Sequence, residues 1–293
     1  VAQQSYPNIE IIVIDDHSSD GTGEIVRGFH TSRPILYVRN KANLGAAKSR
    51  NIGIETARGT LIGLLDADDL WHPEFLEIQV QNLQRLPEFD AICAQIVLVD
   101  SFGIGIDPAS QDSRSSASEI EEHTLPRVWQ KLDIALSSVV ARRSAMLDVG
   151  LFTDGYTEDV NFWLKFCTRH RIAETQAVLV SYRKHDSQKT ADGNRILVGR
   201  TKAYLAAAEE FPEIRDQVGS SSFRNRMYQL CKGTGDYYFY SLNAWRDASF
   251  YYRHAVRFRP HDLDALMKLA WCILPERVQD RLKSLRKSIR GSN

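Results

Sequence analysis

The stretch Leu61-Ile62-Gly63-Leu64-Leu65-Asp66-Ala67-Asp68-Asp69 runs a short apolar segment straight into three carboxylates. An apolar run of this length, closed by polar residues, reads as a strand covered on both faces. Upstream, Ile9-Glu10-Ile11-Ile12-Val13-Ile14 repeats the arrangement and ends in Asp15-Asp16. Ile35 to Val38 and Ala91 to Val99 read as two further strands. Helical spacing fills the gaps, after Ser19-Asp20-Gly21, from Leu44 to Ala57 and from Pro73 to Leu86. Strands alternating with helices predict an α/β fold with a mostly parallel sheet and helices on both faces. In such a sheet the carboxyl ends of the strands open on the ligand crevice, and both acidic clusters sit at such ends.

Beyond residue 100 the pattern loosens. Phe102 to Ser118 is rich in Gly, Ser and Asp and reads as a mobile loop. A helix is expected from Glu119 to Lys131, a strand leading into a helix from Ser138 to Val149, a helix from Glu158 to Arg169 and a strand from Ala177 to Lys184. From Asn194 onward the spacing is helical, which suggests a domain over residues 1–192 and a helical region over 193–293. Within the latter, Ala248 to Pro260 has the A-x-x-Y-Y-x-x-A spacing of one tetratricopeptide-like hairpin, one copy being too few for a solenoid.

Composition narrows the class. Of the 293 residues, 43% are apolar and 25% charged, an ordinary globular balance rather than a disordered one. Thirty-seven basic residues against 37 acidic ones argue against a chain-wide nucleic-acid-binding role. Cys93, Cys167, Cys231 and Cys272 show no C-x-x-C spacing, which argues against a cysteine-based zinc site and against a disulfide framework. A reducing, cytoplasmic compartment follows. No apolar run reaches the roughly 18 residues of a membrane span.

Carboxylates one residue apart at a strand end, as in Asp66-Ala67-Asp68, raise each other's pKa. A divalent cation relieves that repulsion, and Mg²⁺ or Mn²⁺ combines carboxylate with phosphate oxygens. A plain acidic turn capping the following helix is the alternative for a motif so short. The context is more specific. Tyr6-Pro7-Asn8 leading to Asp15-Asp16-His17-Ser18, then Asn43-Leu44-Gly45 through Arg50-Asn51-Ile52-Gly53, then Asp66-Ala67-Asp68-Asp69 occur in fixed order. Gly150-Leu151-Phe152, Glu158-Asp159-Val160-Asn161-Phe162-Trp163-Leu164-Lys165 and Tyr182-Arg183-Lys184-His185 follow.

In that order the chain resembles the family 2 glycosyltransferases of the GT-A fold, a Rossmann-like architecture, over about residues 1–190. It departs from the family pattern at His17, Ser49, Asn161 and Lys165. The resemblance implies a metal-dependent, inverting transfer of a sugar from a nucleotide-diphosphate sugar, UDP-linked by default, to a hydroxyl of a glycan or lipid-linked acceptor. It carries the catalytic base to Asp159 and the metal (Mg²⁺ or Mn²⁺) to Asp68 with His185. Asp15, Asp16, Asn43, Gly45, Arg50, Asp66 and Asp69 become the nucleotide-sugar-binding residues. Family members carry a strand and a helix ahead of Tyr-Pro-Asn, and Val1 to Ser5 reads as the end of that helix. The expectation is that the chain lacks the strand and is less stable and less active than an extended version.

Two other readings compete. A haloacid-dehalogenase-like phosphatase would use Asp66 as nucleophile, but it wants Thr or Val where Leu70 stands, and its motif opens the domain. A catalytically degenerate domain that binds a nucleotide or a partner is the non-enzymatic alternative. At the other end, Arg277, Arg281, Lys283, Arg286, Lys287 and Arg290 follow the apolar stretch Leu263 to Leu274. Such an end suits peripheral contact with anionic lipid at the inner face of the plasma membrane, a role in cell-surface polysaccharide synthesis, or simply a solvated basic helix face.

Overall fold

A computed structural model describes residues 1–105, 118–155, 157–185, 192–275, 277–279 and 281. Most of the loop expected over Phe102 to Ser118, and the basic end beyond residue 281, lie outside the described residues.

The first strand, β1 (Ile11–Asp15), pairs in parallel with β2 (Ile35–Arg39), and α1 (Thr22–Gly28) connects them. A six-stranded sheet holds the remainder. Its order is β3 (Leu61–Gly63), β7 (Val139–Arg142), β5 (Ala91–Val99), β8 (Ile172–Arg183) and β4 (Leu70–Trp71), and β6 (Ile120–Glu122) also pairs with β8. Only β1–β2 and β5–β8 are parallel; β3–β7, β5–β7, β4–β8 and β6–β8 are antiparallel. The α/β class holds, but the sheet is mixed. A continuous apolar run reports burial on both faces and carries no information about strand direction.

Helices do cover both faces. Along β5, Ala91 and Cys93 enter one apolar cluster and Ile92 and Ala94 the other, the period of two expected of a strand. The first cluster is closed by Phe162, Trp163 and Phe166 of α6 (Glu158–Arg169) and by Trp129 of α4 (Leu125–Gln130). The second is closed by Phe75, Leu76 and Leu83 of α3 (Phe75–Arg85). Full burial of such side chains is worth about 1.5–3 kcal/mol each relative to exposure, so these two layers hold the sheet rigid beneath its loops.

Three sequence expectations are corrected. Residues expected as one helix from Glu119 to Lys131 form β6 and then α4, because Ile120 to Glu122 pair along the exposed side of β8 and Pro126 suits only a helix's first turn. The strand expected from Ala177 starts five residues earlier, at Ile172. Val1 to Ser5 is a turn rather than a helix end: the Gln4 amide donates to the His72 carbonyl at 2.7 Å and accepts the Leu76 backbone N–H at 2.9 Å.

From α7 (Gly193–Glu210) the chain is helical, with Asp192 capping α7 through the backbone N–H groups of Asn194 and Arg195. This region shares the first cluster through Tyr204, Ala207 and Ile214, and the Tyr204 hydroxyl donates to the Trp129 carbonyl at 2.8 Å. Further on, α9 (Ser220–Asp236) packs on α10 (Trp245–Phe258), and α10 packs on α11 (Leu263–Ile273). Ala248, Tyr251, Tyr252 and Ala255 of the A-x-x-Y-Y-x-x-A segment are the buried face of α10. Gly235 permits this approach, since a Cβ there would stand 2.8 Å from the Tyr252 ring. No helix among the described residues is long and apolar enough to cross a membrane.

Candidate active site

The ends of β1 and β3 and the start of α6 carry the acidic residues singled out by sequence. Asp15 and Asp16 close β1 and turn to opposite tasks. Asp15 is buried and accepts the Ser18 backbone N–H at 2.8 Å, the Tyr37 hydroxyl and, at 3.5 Å, an ion pair from Arg39. The Ser18 side chain first, then the Tyr37 hydroxyl and the Ser18 backbone N–H, hold its carboxyl down at about 2. Asp16 accepts the backbone N–H groups of Leu44 and Gly45, each at 2.7 Å, and the Asn40 amide at 2.8 Å. It thus ties β1 to the entry of α2 (Ala46–Thr56). Gly45 makes that entry possible with a φ of 84°, a region where a Cβ is strained. Asn43 lies exposed on the same turn.

Two residues of α2 reach the other side of the site. Asn51 exchanges both amide hydrogen bonds with the backbone of Phe152, donating at 2.8 Å and accepting at 3.0 Å. Arg50 donates to Glu158 at 2.6 Å and to Asp66 at 2.9 Å. Arg50 thus bridges the strand-end motif and the first residue of α6. Glu158 had not been singled out for a role; its signal was its place beside Asp159 at a helix start.

The Asp66–Asp69 turn divides its carboxylates between inside and outside. Asp69 points inward, 5% exposed, accepting the Ser137 hydroxyl at 2.6 Å and the Arg183 backbone N–H at 3.0 Å. Burial raises its pKa against the pull of those donors. That burial suits an anchoring role within the turn. Ser137 also accepts the Asp66 backbone N–H at 3.1 Å, and the Arg183 guanidinium donates to the Asp68 carbonyl at 2.9 Å. Ser137, far from the motif in sequence, was not singled out, and Arg183 stood only within the Tyr182–His185 stretch, with no role of its own. What remains outward is Asp66, partly exposed, and Asp68, whose Oδ2 stands 3.1 Å from Nε2 of His185.

Asp159 follows Glu158 on α6 and is partly buried. Burial, and then the adjacent Glu158 carboxylate, raise its pKa above the usual carboxylate value, while Arg50 opposes the shift. A cavity of about 540 Å³ opens at the same end of α6, lined among others by Thr157, Glu158 and Asn161 and by Lys202 and Tyr238 of the helical region; Asp159 is not among its lining residues. Two of the four departures from the family pattern lie on α6, and Asn161 lines that cavity. Asn161 accepts from Thr153 at 3.1 Å and donates to the Ala203 carbonyl at 3.3 Å, a bond that an aspartate could not make. Lys165 is buried and reaches Glu210 at 3.5 Å.

Relatives fit this geometry. An uncharacterized glycosyltransferase of Rickettsia typhi is 28% identical over 64% of the chain and 58% of its own length, so the chain spans less than two thirds of that relative. The Escherichia coli enzyme named UDP-Glc:alpha-D-GlcNAc-diphosphoundecaprenol beta-1,3-glucosyltransferase WfaP is 28% identical over 67% of the chain and 73% of its length. Among solved structures, Staphylococcus aureus TarS 1–349 in complex with UDP superposes with a TM-score of 0.57 at 19% identity, covering 94% of the chain and 75% of TarS 1–349. The mannosyltransferase PcManGT of Pyrobaculum calidifontis, in complex with GDP-Man and Mn²⁺, gives 0.58 at 19% identity, over 92% of the chain and 72% of its own. Those two likenesses establish the GT-A fold. Residues 1–146 match Glycosyl transferase family 2, and with its motifs in order on that fold the chain belongs to this family.

Proposed function

We propose that the chain is a metal-dependent, inverting glycosyltransferase that moves a sugar from a nucleotide-diphosphate sugar, most simply a UDP-sugar, to an acceptor hydroxyl. The observation that carries this reading is the meeting of Asp68 and His185 at 3.1 Å beside Asp66, with Arg50 bridging Asp66 to Glu158, the α6 residue before Asp159. WfaP's name supports a UDP-sugar donor and a saccharide on a lipid diphosphate as acceptor. TarS holds UDP and PcManGT holds GDP-Man, so the fold itself leaves the base open.

The donor set suits Mn²⁺ or Mg²⁺. A carboxylate oxygen and an imidazole nitrogen, both partly exposed, leave the remaining positions to oxygens of a diphosphate. When bound, the cation neutralises the negative charge that builds on the departing diphosphate. Everything else is assigned to the protein. Asp159 accepts the proton of the acceptor hydroxyl, whose oxygen bonds to the anomeric carbon from the face opposite the diphosphate. The glycosidic bond breaks with its electron pair going to the diphosphate oxygen, and the anomeric configuration inverts. The cavity lined by Thr157, Glu158 and Lys202 is where the acceptor is assigned. The burial that raises the pKa of Asp159 brings a carboxylate closer to the strength needed to take a proton near neutral pH.

Lipid contact of the basic end at the cytoplasmic face belongs to the same reading, on the strength of sequence alone. Flotation with anionic vesicles, with and without residues 276–293, tests it. For the reaction, UDP release from a panel of UDP-sugars, offered lipid-diphosphate-linked saccharides with Mn²⁺, should depend on Asp159. Nucleotide-induced stabilisation without turnover on any donor would favour a non-catalytic binding domain.

A further inference from the structure

On the sheet, away from the strand-end carboxylates, three potential ligands of different kinds converge. Cys93 of β5 and Glu174 of β8 are register partners across the parallel ladder, so they share a face. His123, in the link between β6 and α4, closes over them, its backbone N–H donating to the Ile172 carbonyl at 2.9 Å. One nitrogen of His123, the Cys93 sulfur and a Glu174 oxygen all lie within 4.8 Å of one another, and all three residues are buried. We propose that Cys93, His123 and Glu174 form a site for a zinc-like divalent cation that pins α4 and β6 to the sheet.

The imidazole gives the clearest pointer. His123 is 1% exposed, and neither ring nitrogen is in hydrogen-bonding geometry with any described residue. Yet Nε2 stands 3.2 Å from Glu174 Oε2 and Nδ1 3.4 Å from Asp133 Oδ1. Two ligand atoms each about 2.0–2.1 Å from a tetrahedral metal lie about 3.3 Å apart, which is the Nε2–Glu174 separation. Asp133, on the far nitrogen, stands where a carboxylate fixes the tautomer of a metal-bound histidine. Arg127 approaches Glu174 at 3.0 Å and Asp133 at 3.5 Å. A divalent cation, a thiolate, the two carboxylates and Arg127 then leave the buried cluster neutral. Binding through the sulfur displaces the Cys93 thiol proton to solvent. Sulfur, nitrogen and oxygen together favour zinc over magnesium or calcium. The absence of C-x-x-C spacing does not bear on a site with one thiolate, gathered from residues far apart in sequence.

Cobalt is the probe, because a thiolate-to-cobalt absorption band can only come from a cysteine ligand. Titrating the full chain with Co²⁺ should raise that band to one equivalent, and Zn²⁺ should displace it. The band should persist in Asp68→Asn, which removes the strand-end carboxylate, and vanish in Cys93→Ser checked for folding by circular dichroism. Asp133→Asn, at the positioning residue, should keep the band and weaken affinity about 10–100-fold. Should Cys93→Ser fail to fold, X-ray absorption on the zinc-loaded wild type should show one sulfur at about 2.3 Å. Folded wild type with no thiolate band and no zinc-bound sulfur would overturn the proposal. So would a band that survives in Cys93→Ser.

Discussion

Arg50 and Glu158, 108 residues apart, are joined at 2.6 Å, and the other arm of the same guanidinium holds Asp66 at 2.9 Å. One side chain of α2 thereby fixes the distance between the outward strand-end carboxylate and the helix that carries Asp159.

Glu158 is 7% exposed, so removal of Arg50 takes a 2.6 Å ion pair from a buried carboxylate. Breaking such a pair costs about 3–5 kcal/mol. Arg50→Ala should lower the urea midpoint accordingly, and Arg50→Lys should recover only part of the loss, because an ammonium cannot fork to both carboxylates. Urea unfolding of the three proteins checks this.

Asp159→Asn keeps the shape and removes the base. Turnover should fall about 10²–10⁴-fold with nucleotide affinity unchanged. As the pKa of Asp159 is raised, and only the ionised form accepts a proton, the acid limb of the rate profile should lie above the usual value of about 3.9. Glu158→Gln removes the neighbouring charge that lifts it, so that limb should move to lower pH. The same shift makes the Asp159 contribution to stability greatest below about 3.9 and lost as pH rises through its folded value.

Ser137→Ala takes one of the two donors from the buried Asp69 carboxylate and leaves the Asp66 N–H without its acceptor. An unsatisfied buried group costs about 1–3 kcal/mol. A drop in Tm is expected together with weaker nucleotide binding, since the turn that presents Asp68 is loosened. Differential scanning calorimetry and a binding titration measure the two effects.

Gly45→Ala forces a side chain into a left-handed backbone region at the very N–H that Asp16 accepts. Strain of this kind costs about 1–3 kcal/mol. Tm should fall, while Asn43→Ala on the exposed part of the same turn should leave it unchanged.

Much of this site was legible because its residues announce themselves as ordered motifs. Asp68 and His185, both named from sequence, stand 3.1 Å apart, and α6 spans the residues its spacing predicted. Other features depend on three-dimensional adjacency. Ser137, in a short helical turn, and Arg183, at the end of β8, brace the acidic turn from far along the chain, and no periodicity identifies which serine will lie beneath it. Asp15, Asp16 and Asp69 read as ligands in sequence, and their hydrogen bonds from Ser18, Gly45 and Ser137 are visible only in three dimensions. Strand direction escaped for a related reason: the apolar residues of β5 and β7 record that both faces are covered, while the antiparallel pairing depends on how the chain returns between them. The link at His123 was misread because Ile120 to Glu122 satisfy a helical pattern as readily as a short edge strand.

The central claim is that Asp68 and His185 hold a divalent cation for a nucleoside diphosphate. A thermal-shift titration of UDP, GDP, CDP and dTDP, each with and without Mn²⁺, on wild type and Asp68→Ala tests it most directly. The account predicts stabilisation by one of these nucleotides that requires Mn²⁺ and disappears in Asp68→Ala. Stabilisation of equal size without metal or in Asp68→Ala, or none with any nucleotide on folded wild type, would contradict it.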